Sequence, residues 1–285
     1  MVEELIYKKM LDWLAEDIPF WDVTAALLPQ GCKCRAIIVA KERGVAACVE
    51  DVEGFLKWLG FNVRVKVSSK TVFKEGDTLM EIEGDMRKLL QVERLVLNVL
   101  SHSCGVATET RKAVEKVKVV NPKVRVSATR KTLPGLRYFE KKAVEAGGGD
   151  PHRLSLSDMV LIKDNHLRYF RSVKSAVEAA KGSTSFTMKI EVEVSSPEEA
   201  LEAAEAGADI VMLDNFSVED VKRTIELLEK AGLRDKVVVE VSGGVTLENI
   251  GGYAEAGPDV ISMGWLTHSA KAVDMSLEIV EVVKP

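Results

Sequence analysis

The amino-acid sequence predicts an α/β fold in two parts, an N-terminal α+β part followed by a (β/α) barrel. In the second half of the chain, short strand patterns rich in Val, Ile and Met alternate with helical patterns. This rhythm is typical of a parallel sheet buried on both faces. The first hundred residues instead mix helices with alternating strand patterns. Charged residues follow successive apolar strands, as they do at the mouth of a barrel enzyme.

Composition indicates a soluble globular protein. The chain has 285 residues, of which 46% are hydrophobic and 29% charged, enough for two domains of ordinary size. No apolar run approaches the ~18 residues of a membrane span, and the N-terminal residues lack a signal-peptide pattern. We therefore expect a cytoplasmic protein without a membrane partner. The net charge of −5 argues against nonspecific nucleic-acid binding.

The four cysteines lie in the first part of the chain. Cys32 and Cys34 are too close together for zinc-ligand spacing, and no second cysteine pair follows to complete a site. We expect these cysteines to be core thiols.

The N-terminal part shows helical and strand patterns in turn. A helix is expected over residues 3–15, a strand over Cys34–Ala40 and a helix over Val49–Leu59. Another strand pattern follows directly, and then a long helical pattern begins at Met86. Gly105 is expected to break that pattern into two helices.

Six strands are predicted in the second part, separated by helices: Val124–Ala128, Met159–Lys163, Lys189–Val194, Asp209–Leu213, Val237–Val241 and Val260–Met263. They could close into a barrel or form an open, doubly wound sheet. The GxGxxG fingerprint of dinucleotide-binding sheets does not follow the first strand. A barrel, short of eight strands, is therefore favoured.

The predicted domain division follows from these patterns. Residues 1–104 are assigned to the N-terminal domain and residues 105–266 to the barrel. A last helix over Thr267–Val283 is expected to return to the N-terminal domain, so that 267–285 would pack with it.

The residues at the strand ends carry the predicted chemistry, because these ends converge at one mouth of a barrel. They are Thr129-Arg130-Lys131, Lys163, Glu193, Asp214, Ser242-Gly243-Gly244 and Gly264. Arginines suit carboxylates or phosphates, lysines suit pyrophosphate, and carboxylates suit Mg²⁺ or ribose hydroxyls. Glycine turns before helices suit a phosphate monoester. This set is typical of a phosphoribosyl donor that meets a carboxylate-bearing acceptor.

Other charged residues near this set are ambiguous. Lys141 and Lys142 lie inside a helical pattern, and we interpret them as solvated surface residues. His152 stands in a glycine-rich loop beside Arg153, which favours a ligand-binding role over a core position.

Several segments occur in an order that resembles the quinolinate phosphoribosyltransferase family. They are ERLVLNVLSHSCGVAT, SATRKTLPGLR, AGGGDPHRLSLSDMVLIKDNH, IEVEV, VMLDN and VSGGV. The resemblance covers most of the chain, and its motifs are specific in combination.

The resemblance implies an N-terminal α/β sandwich domain beside an incomplete (β/α) barrel. It also implies a homodimer or higher homo-oligomer in which the partner's N-terminal domain covers each barrel mouth. The implied reaction joins quinolinate to phosphoribosyl pyrophosphate with Mg²⁺. Its products are nicotinate mononucleotide, CO₂ and pyrophosphate, within NAD biosynthesis.

The resemblance also implies a role for each site residue. Arg130, His152, Arg153 and Lys163 would hold the carboxylates of quinolinate, joined by Arg94 from the partner subunit. Lys131, Glu193 and Asp214 would bind the phosphoribosyl donor, its metal and its pyrophosphate. The glycine turns, with Ser242, Gly243, Gly244 and Gly264, would hold the donor's 5′-phosphate. Lys131, Lys163, Glu193 and Asp214 would be the catalytic residues.

One departure from the family pattern leaves an alternative open. Many members have His-Asn-His-Arg where this chain has Asp150-Pro151-His152-Arg153. The Pro-His-Arg version is similar to the molybdenum-transport-associated relatives, which tend to lack the Lys-Asp-Asn-His run present at 163–166. Two further alternatives are a lyase that forms a Schiff base through Lys163 and a non-catalytic nucleotide sensor.

Overall fold

The computed structural model describes residues 2–283, with the side chain of residue 2 excepted, and the chain forms two compact units. The α-helices are α1 Val2–Asp17, α2 Val49–Trp58, α3 Met86–Val120, α4 Arg137–Gly147, α5 Asp164–Leu167, α6 Val173–Ser183, α7 Pro197–Glu205, α8 Val218–Lys230, α9 Ile250–Ala256 and α10 Trp265–His268. The strands are β1 Lys33–Ala40, β2 Gly44–Val45, β3 Asn62–Val65, β4 Val72–Phe73, β5 Thr78–Asp85, β6 Arg125–Ser127, β7 Val160–Ile162, β8 Ile190–Val194, β9 Ile210–Asp214, β10 Val238–Ser242, β11 Val260–Ser262 and β12 Met275–Val283.

The described part of the first unit contains residues 2–109, 138–148 and 270–283. Its main sheet has the antiparallel order β12-β1-β5-β3, and β2 and β4 form a small second sheet. In β1, Cys34, Ala36 and Ile38 are buried while Lys33 and Arg35 are exposed, so one face of the sheet joins the core. The N-terminal domain is thus an α/β arrangement with its own sheet, as predicted.

The second unit contains residues 110–137 and 149–269 and forms a parallel sheet of the order β6-β11-β10-β9-β8-β7. All six predicted strands are confirmed. Within residues 2–283, β6 and β7 are the two edges of this sheet and do not pair with each other, so the ring of strands stays incomplete. An isolated bridge joins Ser127 of β6 to Asp150 in the loop before β7. Three of the intervening helices begin at a serine whose side chain accepts a hydrogen bond from a backbone N–H of the first turn; these serines are Ser172, Ser196 and Ser217.

The predicted break at Gly105 is wrong, because α3 continues through it to residue 120. A methyl group at position 105 would lie 2.2 Å from the carbonyl oxygen of Lys271. The glycine therefore permits a close approach of two backbones and does not end the helix.

The predicted helix over Thr267–Val283 is also wrong. Only a short helix ends at His268, and residues 275–283 form β12, which pairs with β1. The segment contains Ile279, Val280, Val282 and Val283, and β-branched side chains suit a pleated strand. The end of the predicted segment, residues 284 and 285, lies outside the described part of the chain.

The helix α4 differs most from its predicted environment. Most of it belongs to the first unit, although the sequence assigned it to the barrel. Lys141 is only 3% exposed, so its interpretation as a surface residue is wrong. Lys142 is half-exposed but bonds to the buried Asp51 at 2.6 Å. The neighbouring Tyr138 hydroxyl also donates to Asp51, at 2.9 Å.

The Asp51–Lys142 ion pair shifts the pKa of its lysine. Burial lowers the pKa of Lys142, but the hydrogen bond and charge of Asp51 outweigh burial and raise that pKa overall. Unlike an exposed pair, this one has a nearly buried carboxylate that would lose its main partner if the lysine were removed.

None of the helices within residues 2–283 is both long enough and apolar enough to cross a membrane.

Replacing Lys142 with Met should lower the free energy of unfolding by about 1–3 kcal/mol, because the Asp51 carboxylate is left buried with one donor fewer. Urea unfolding followed by circular dichroism measures the change. Lys57→Met is the matched control. Lys57 is itself half-exposed and bonds to Glu53 one turn earlier on α2, so its loss should change stability by less than about 0.5 kcal/mol. Equal losses in the two variants would contradict a structural role for the Asp51–Lys142 pair.

Candidate active site

A cavity of about 520 Å³ opens at the carboxyl ends of the parallel strands of the second unit. Its walls combine cationic, acidic and glycine residues from the strands and the loops that follow them. The lining residues are Thr129, Arg130, Lys131, His152, Arg153, Leu161, Lys163, Glu193, Met212, Asp214, Asn215, Glu240, Ser242, Gly243 and Gly244.

The two-residue period of the strands explains this lining. Side chains two positions apart in a strand point to the same face of the sheet. Lining residues follow this spacing on three strands, as the pairs Leu161 and Lys163, Met212 and Asp214, and Glu240 and Ser242. In each pair the second residue lies at or just beyond the strand's carboxyl end, where a ligand can reach it.

The structure brings together ten of the residues that the sequence predicted for the site. They line this cavity: Arg130, Lys131, His152, Arg153, Lys163, Glu193, Asp214, Ser242, Gly243 and Gly244. Gly264 adjoins it, because a methyl group there would lie 2.7 Å from Cδ of Lys131. Arg94 is exposed on α3 in the first unit and is not among the lining residues.

Two arginines form the most cationic part of the wall. Burial and the nearby charge of Arg130 lower the pKa of Arg153, so the two guanidinium groups repel each other where they stand. Nε of Arg130 is buried and has no hydrogen-bond partner within residues 2–283. An unpaired buried donor beside a second cation favours the binding of an anion.

Lys163 connects the cationic wall to the acidic wall. Its Nζ donates to Oε2 of Glu193 at 2.8 Å. Its backbone N–H donates to Nδ1 of His166 at 2.9 Å, which fixes the start of α5. The lysine is therefore held by its own strand end and by the neighbouring strand.

Asp214 and Glu193 place two carboxylates on adjacent strands. Burial and the charge of Glu193 raise the pKa of Asp214, although the Asn215 amide donates to Asp214 at 2.7 Å. Two repelling carboxylates with hard oxygen donors suit a shared divalent cation, above all one that also contacts phosphate oxygens.

The turn after β10 requires glycine. Gly243 has a φ of +87°, and a methyl group there would lie 2.3 Å from Oδ1 of Asn215. Gly244 follows with a φ of +62°. Successive residues with positive φ can turn backbone N–H groups toward a bound anion.

Two acidic residues near the cavity, Glu191 and Glu240, were not identified from the sequence. They form a buried pair, 0% and 2% exposed. A signal for them was present, because each is a glutamate inside an otherwise apolar strand, IEVEV or VVEVS. Such residues are rarely buried without a specific partner.

The buried carboxylates lie close to His152. Its Nε2 is 3.2 Å from Oε2 of Glu240 and 3.5 Å from Oε2 of Glu191. Burial and the charge of Glu240 raise the pKa of Glu191 to about 8, against the smaller opposite effect of His152. Glu191 thus retains its proton near neutral pH.

The raised pKa of Glu191 predicts a pH-dependent stability. The folded protein holds the proton of Glu191 more tightly than the unfolded chain does. The contribution of this proton to the free energy of unfolding is therefore complete below about pH 4.5 and is lost as the pH rises to about 8. Glu191→Gln removes the titration, so its melting temperature relative to the wild type should increase between about pH 5 and pH 8. Thermal unfolding across this range measures the difference. The control Glu226→Gln changes a glutamate on an exposed helix surface, and its melting temperature should differ from that of the wild type by the same amount at every pH. If Glu191→Gln also differed by a constant amount, the raised pKa of Glu191 would be refuted.

Comparison with known proteins places the chain in a family. Residues 22–104 match the model of the quinolinate phosphoribosyl transferase N-terminal domain, and residues 106–278 match that of its C-terminal domain. A protein of Methanothermobacter thermautotrophicus with the name "Probable nicotinate-nucleotide pyrophosphorylase (carboxylating)" is 45% identical over 95% of this chain and 99% of its own. The human nicotinate-nucleotide pyrophosphorylase (carboxylating) is 39% identical over 94% of this chain and 89% of its own.

A solved structure agrees with these matches. The nicotinate-nucleotide pyrophosphorylase from Francisella tularensis superposes with a TM-score of 0.88 at 34% identity, over 97% of this chain and 96% of that one. Both matched domain models and these relatives cover almost the whole sequence. The chain therefore belongs to the quinolinate phosphoribosyl transferase family.

Proposed function

We propose that this protein transfers phosphoribosyl from phosphoribosyl pyrophosphate to quinolinate, with loss of CO₂, in NAD biosynthesis. The products are nicotinate mononucleotide, CO₂ and pyrophosphate, which makes it a pentosyltransferase. The observation that carries the proposal is one cavity, in a chain of this family, that joins a cationic wall to an acidic wall and a glycine turn.

The acceptor half of the site lies at the two edges of the sheet. Arg130 follows β6, Lys163 follows β7, and Arg153 stands in the loop between them. The two arginines present planar groups that match carboxylates, and quinolinate carries two carboxylates on neighbouring ring atoms. The unpaired Nε of Arg130 would receive one of them.

The donor half lies along the remaining strands. Glu193, Asp214 and the turn at Ser242–Gly244 stand at the ends of β8, β9 and β10, in their order across the sheet. The turn would hold the 5′-phosphate through backbone N–H groups. Lys131 lies beside Gly264 and would neutralise charge on the leaving pyrophosphate.

The carboxylates of Glu193 and Asp214 fit a Mg²⁺ ion, because they repel each other and offer the oxygen ligands that it prefers. When bound, Mg²⁺ would neutralise negative charge on the pyrophosphate group. The two carboxylates would also stabilise positive charge that develops on the ribose.

The proposed chemistry requires no base–nucleophile pair. The quinolinate ring nitrogen attacks C1 of the ribose with its own lone pair, and the C1–oxygen bond to pyrophosphate breaks with its electrons on pyrophosphate. The adjacent carbon–carboxylate bond then breaks as CO₂ leaves, and its electrons remain on the ring carbon, where the positive charge of the pyridinium nitrogen stabilises them. Protonation of that ring carbon completes the product.

A Schiff-base lyase is less well supported. An amine must be unprotonated to attack a carbonyl, whereas Nζ of Lys163 donates to the Glu193 carboxylate in an ion pair. The intact Glu193 and Asp214 likewise favour a catalyst over a nucleotide sensor.

We also propose a homodimer with shared sites in the cytoplasm. The first unit exposes large apolar side chains at Phe20, Trp21 and Leu27, with exposures between 73% and 87%, and such segments are common at subunit interfaces. The exposed Arg94 of that unit could reach the partner's cavity. The four cysteines are free and buried, as expected for thiols in a reducing compartment.

The purified protein should release ¹³CO₂ from quinolinate labelled at its 2-carboxylate only when phosphoribosyl pyrophosphate and Mg²⁺ are present. Nicotinate mononucleotide should form in equal amount, measured by mass spectrometry, and EDTA should stop the reaction. Lys131→Ala and Asp214→Asn should each lower kcat by at least ~10²-fold, because they remove charge from the transition state.

Lys230→Ala is the control for these variants, since Lys230 lies on the exposed surface of α8 and should retain full activity. Turnover of another acceptor, with none of quinolinate, would refute the proposed substrate.

Arg94→Ala should be inactive yet folded, if Arg94 serves the partner's cavity. When it is mixed and reassociated with Lys131→Ala, half of the dimers are mixed and each contains one site without either change. Activity should then recover to about a quarter of the wild-type value. No recovery in dimers that native mass spectrometry shows to be mixed would exclude a shared site.

A further inference from the structure

Asp150 joins the loop before β7 to the edge of the parallel sheet. Its backbone N–H donates to the carbonyl of Val126 at 2.8 Å, and its own carbonyl accepts from the N–H of Ala128 at 2.9 Å. The hydroxyl of Ser127 donates to the same carbonyl at 3.3 Å. Asp150 therefore continues the sheet beside β6 for one residue, and its backbone is fixed where the loop begins.

The side chain of Asp150 fixes the backbone of the residues that follow. Its Oδ1 accepts from the N–H of His152 at 2.8 Å, in the kind of turn where an aspartate side chain bonds to the backbone two residues on. Pro151 stands between them, and its ring holds φ at about −65°. His152 has a φ of +56°, a left-handed conformation that residues other than glycine adopt at a cost. The bond from Asp150 stabilises this conformation.

The far end of the same segment has separate anchors. The guanidinium of Arg137 donates to the carbonyl of Leu154 at 3.1 Å, and Asp158 accepts from the N–H of Leu154 at 2.6 Å. The short segment between Asp150 and Leu154 contains His152 and Arg153, which both line the cavity. Their positions therefore depend on the two ends of this segment.

The hydrogen bond of Asp150 matters more than its charge. Its Oδ2 lies 3.6 Å from Nη1 of Arg125, whose side chain is 72% exposed. An ion pair this exposed contributes little. The oxygen that accepts from His152 is the part of Asp150 that acts on the cavity.

The donor half of the cavity is held by other contacts. The carbonyl of Lys131 accepts from the Thr267 hydroxyl at 2.6 Å. The carboxylates of Glu193 and Asp214 and the glycine turn after β10 stand at the ends of other strands. A change at Asp150 should therefore disturb the acceptor half and leave the donor half in place.

We propose that Asp150 is a positioning residue, which fixes the left-handed backbone of His152 and so places His152 and Arg153 for the carboxylates of the acceptor. This inference rests on the proposed function for the identity of the acceptor. It also gives a role to the departure from the family pattern at Asp150-Pro151, where a side-chain acceptor and a fixed φ together hold the loop.

Two substitutions separate the hydrogen bond of Asp150 from its charge. Asp150→Asn retains an oxygen that can accept from the N–H of His152, but it loses the negative charge. Asp150→Ala loses the acceptor as well, so the left-handed backbone is no longer held. Arg125→Ala is the matched control, since it removes the charge partner and leaves the acceptor in place.

The KM for quinolinate should rise about tenfold in Asp150→Ala, and less than about threefold in Asp150→Asn and Arg125→Ala. The KM for phosphoribosyl pyrophosphate should stay within about twofold of the wild-type value in all three variants. If Asp150 served stability alone, Asp150→Ala would melt at a lower temperature with an unchanged KM for quinolinate. Equal effects of Ala and Asn would assign the role to the charge. Either result overturns the proposal.

Amide hydrogen exchange, followed by nitrogen-15 NMR, tests the backbone without any need for catalysis. The N–H of His152 should exchange slowly in the wild type and in Asp150→Asn, and at least about tenfold faster in Asp150→Ala. The N–H of Ala128 is an internal control, because it bonds to the backbone of residue 150 and should keep its rate. An unchanged rate at His152 would overturn the proposal. If the wild type does not use quinolinate, the proposed function fails, and the exchange rate still decides whether Asp150 fixes this backbone.

Discussion

The alternation of side chains along parallel strands is the constraint on which the site depends. Because the period is two residues, a strand that brings one polar side chain to the cavity also directs the residue two positions earlier toward the same side. Where that earlier residue is Leu161 or Met212, it forms an apolar part of the cavity wall. Where it is Glu191 or Glu240, the interior acquires a carboxylate that cannot reach water. The polar residues at the strand ends can bind ligands only if the residues two positions earlier are stably packed.

The positive charges at the cavity mouth are partly balanced by nearby carboxylates. The cations at the mouth lie near carboxylates of β8: Lys163 forms an ion pair with Glu193, and the charge of Glu191 acts on Arg153. Without a ligand, those carboxylates limit the repulsion among the cations, and Glu193 also occupies Lys163. A dianionic acceptor would take over part of that role, so binding exchanges internal pairs for pairs with the ligand.

Most of the barrel and its mouth could be predicted because both depend on local patterns. Six apolar strands and the polar residues that end them are visible in the sequence, and all but two of the twelve predicted site residues line one cavity.

Features that depend on distant contacts could not be predicted. Gly105 responds to a backbone more than 160 positions away, and Lys141 is buried because α4 packs within the first unit. The proposed role of Arg94 in a partner's site would depend on assembly, which a single sequence does not encode in any local pattern.

The pairing of β12 with β1 has a consequence for how the protein is made. The first unit draws its sheet from segments far apart in the sequence, with β1 flanked by β5 and by β12. During synthesis, β1 and β5 emerge long before β12, so one edge of β1 presents free backbone groups while the whole second unit is translated. Exposed edges of this kind invite pairing with other chains. The exposed charges of Lys33 and Arg35 on β1 would help to discourage such pairing until the final strand arrives.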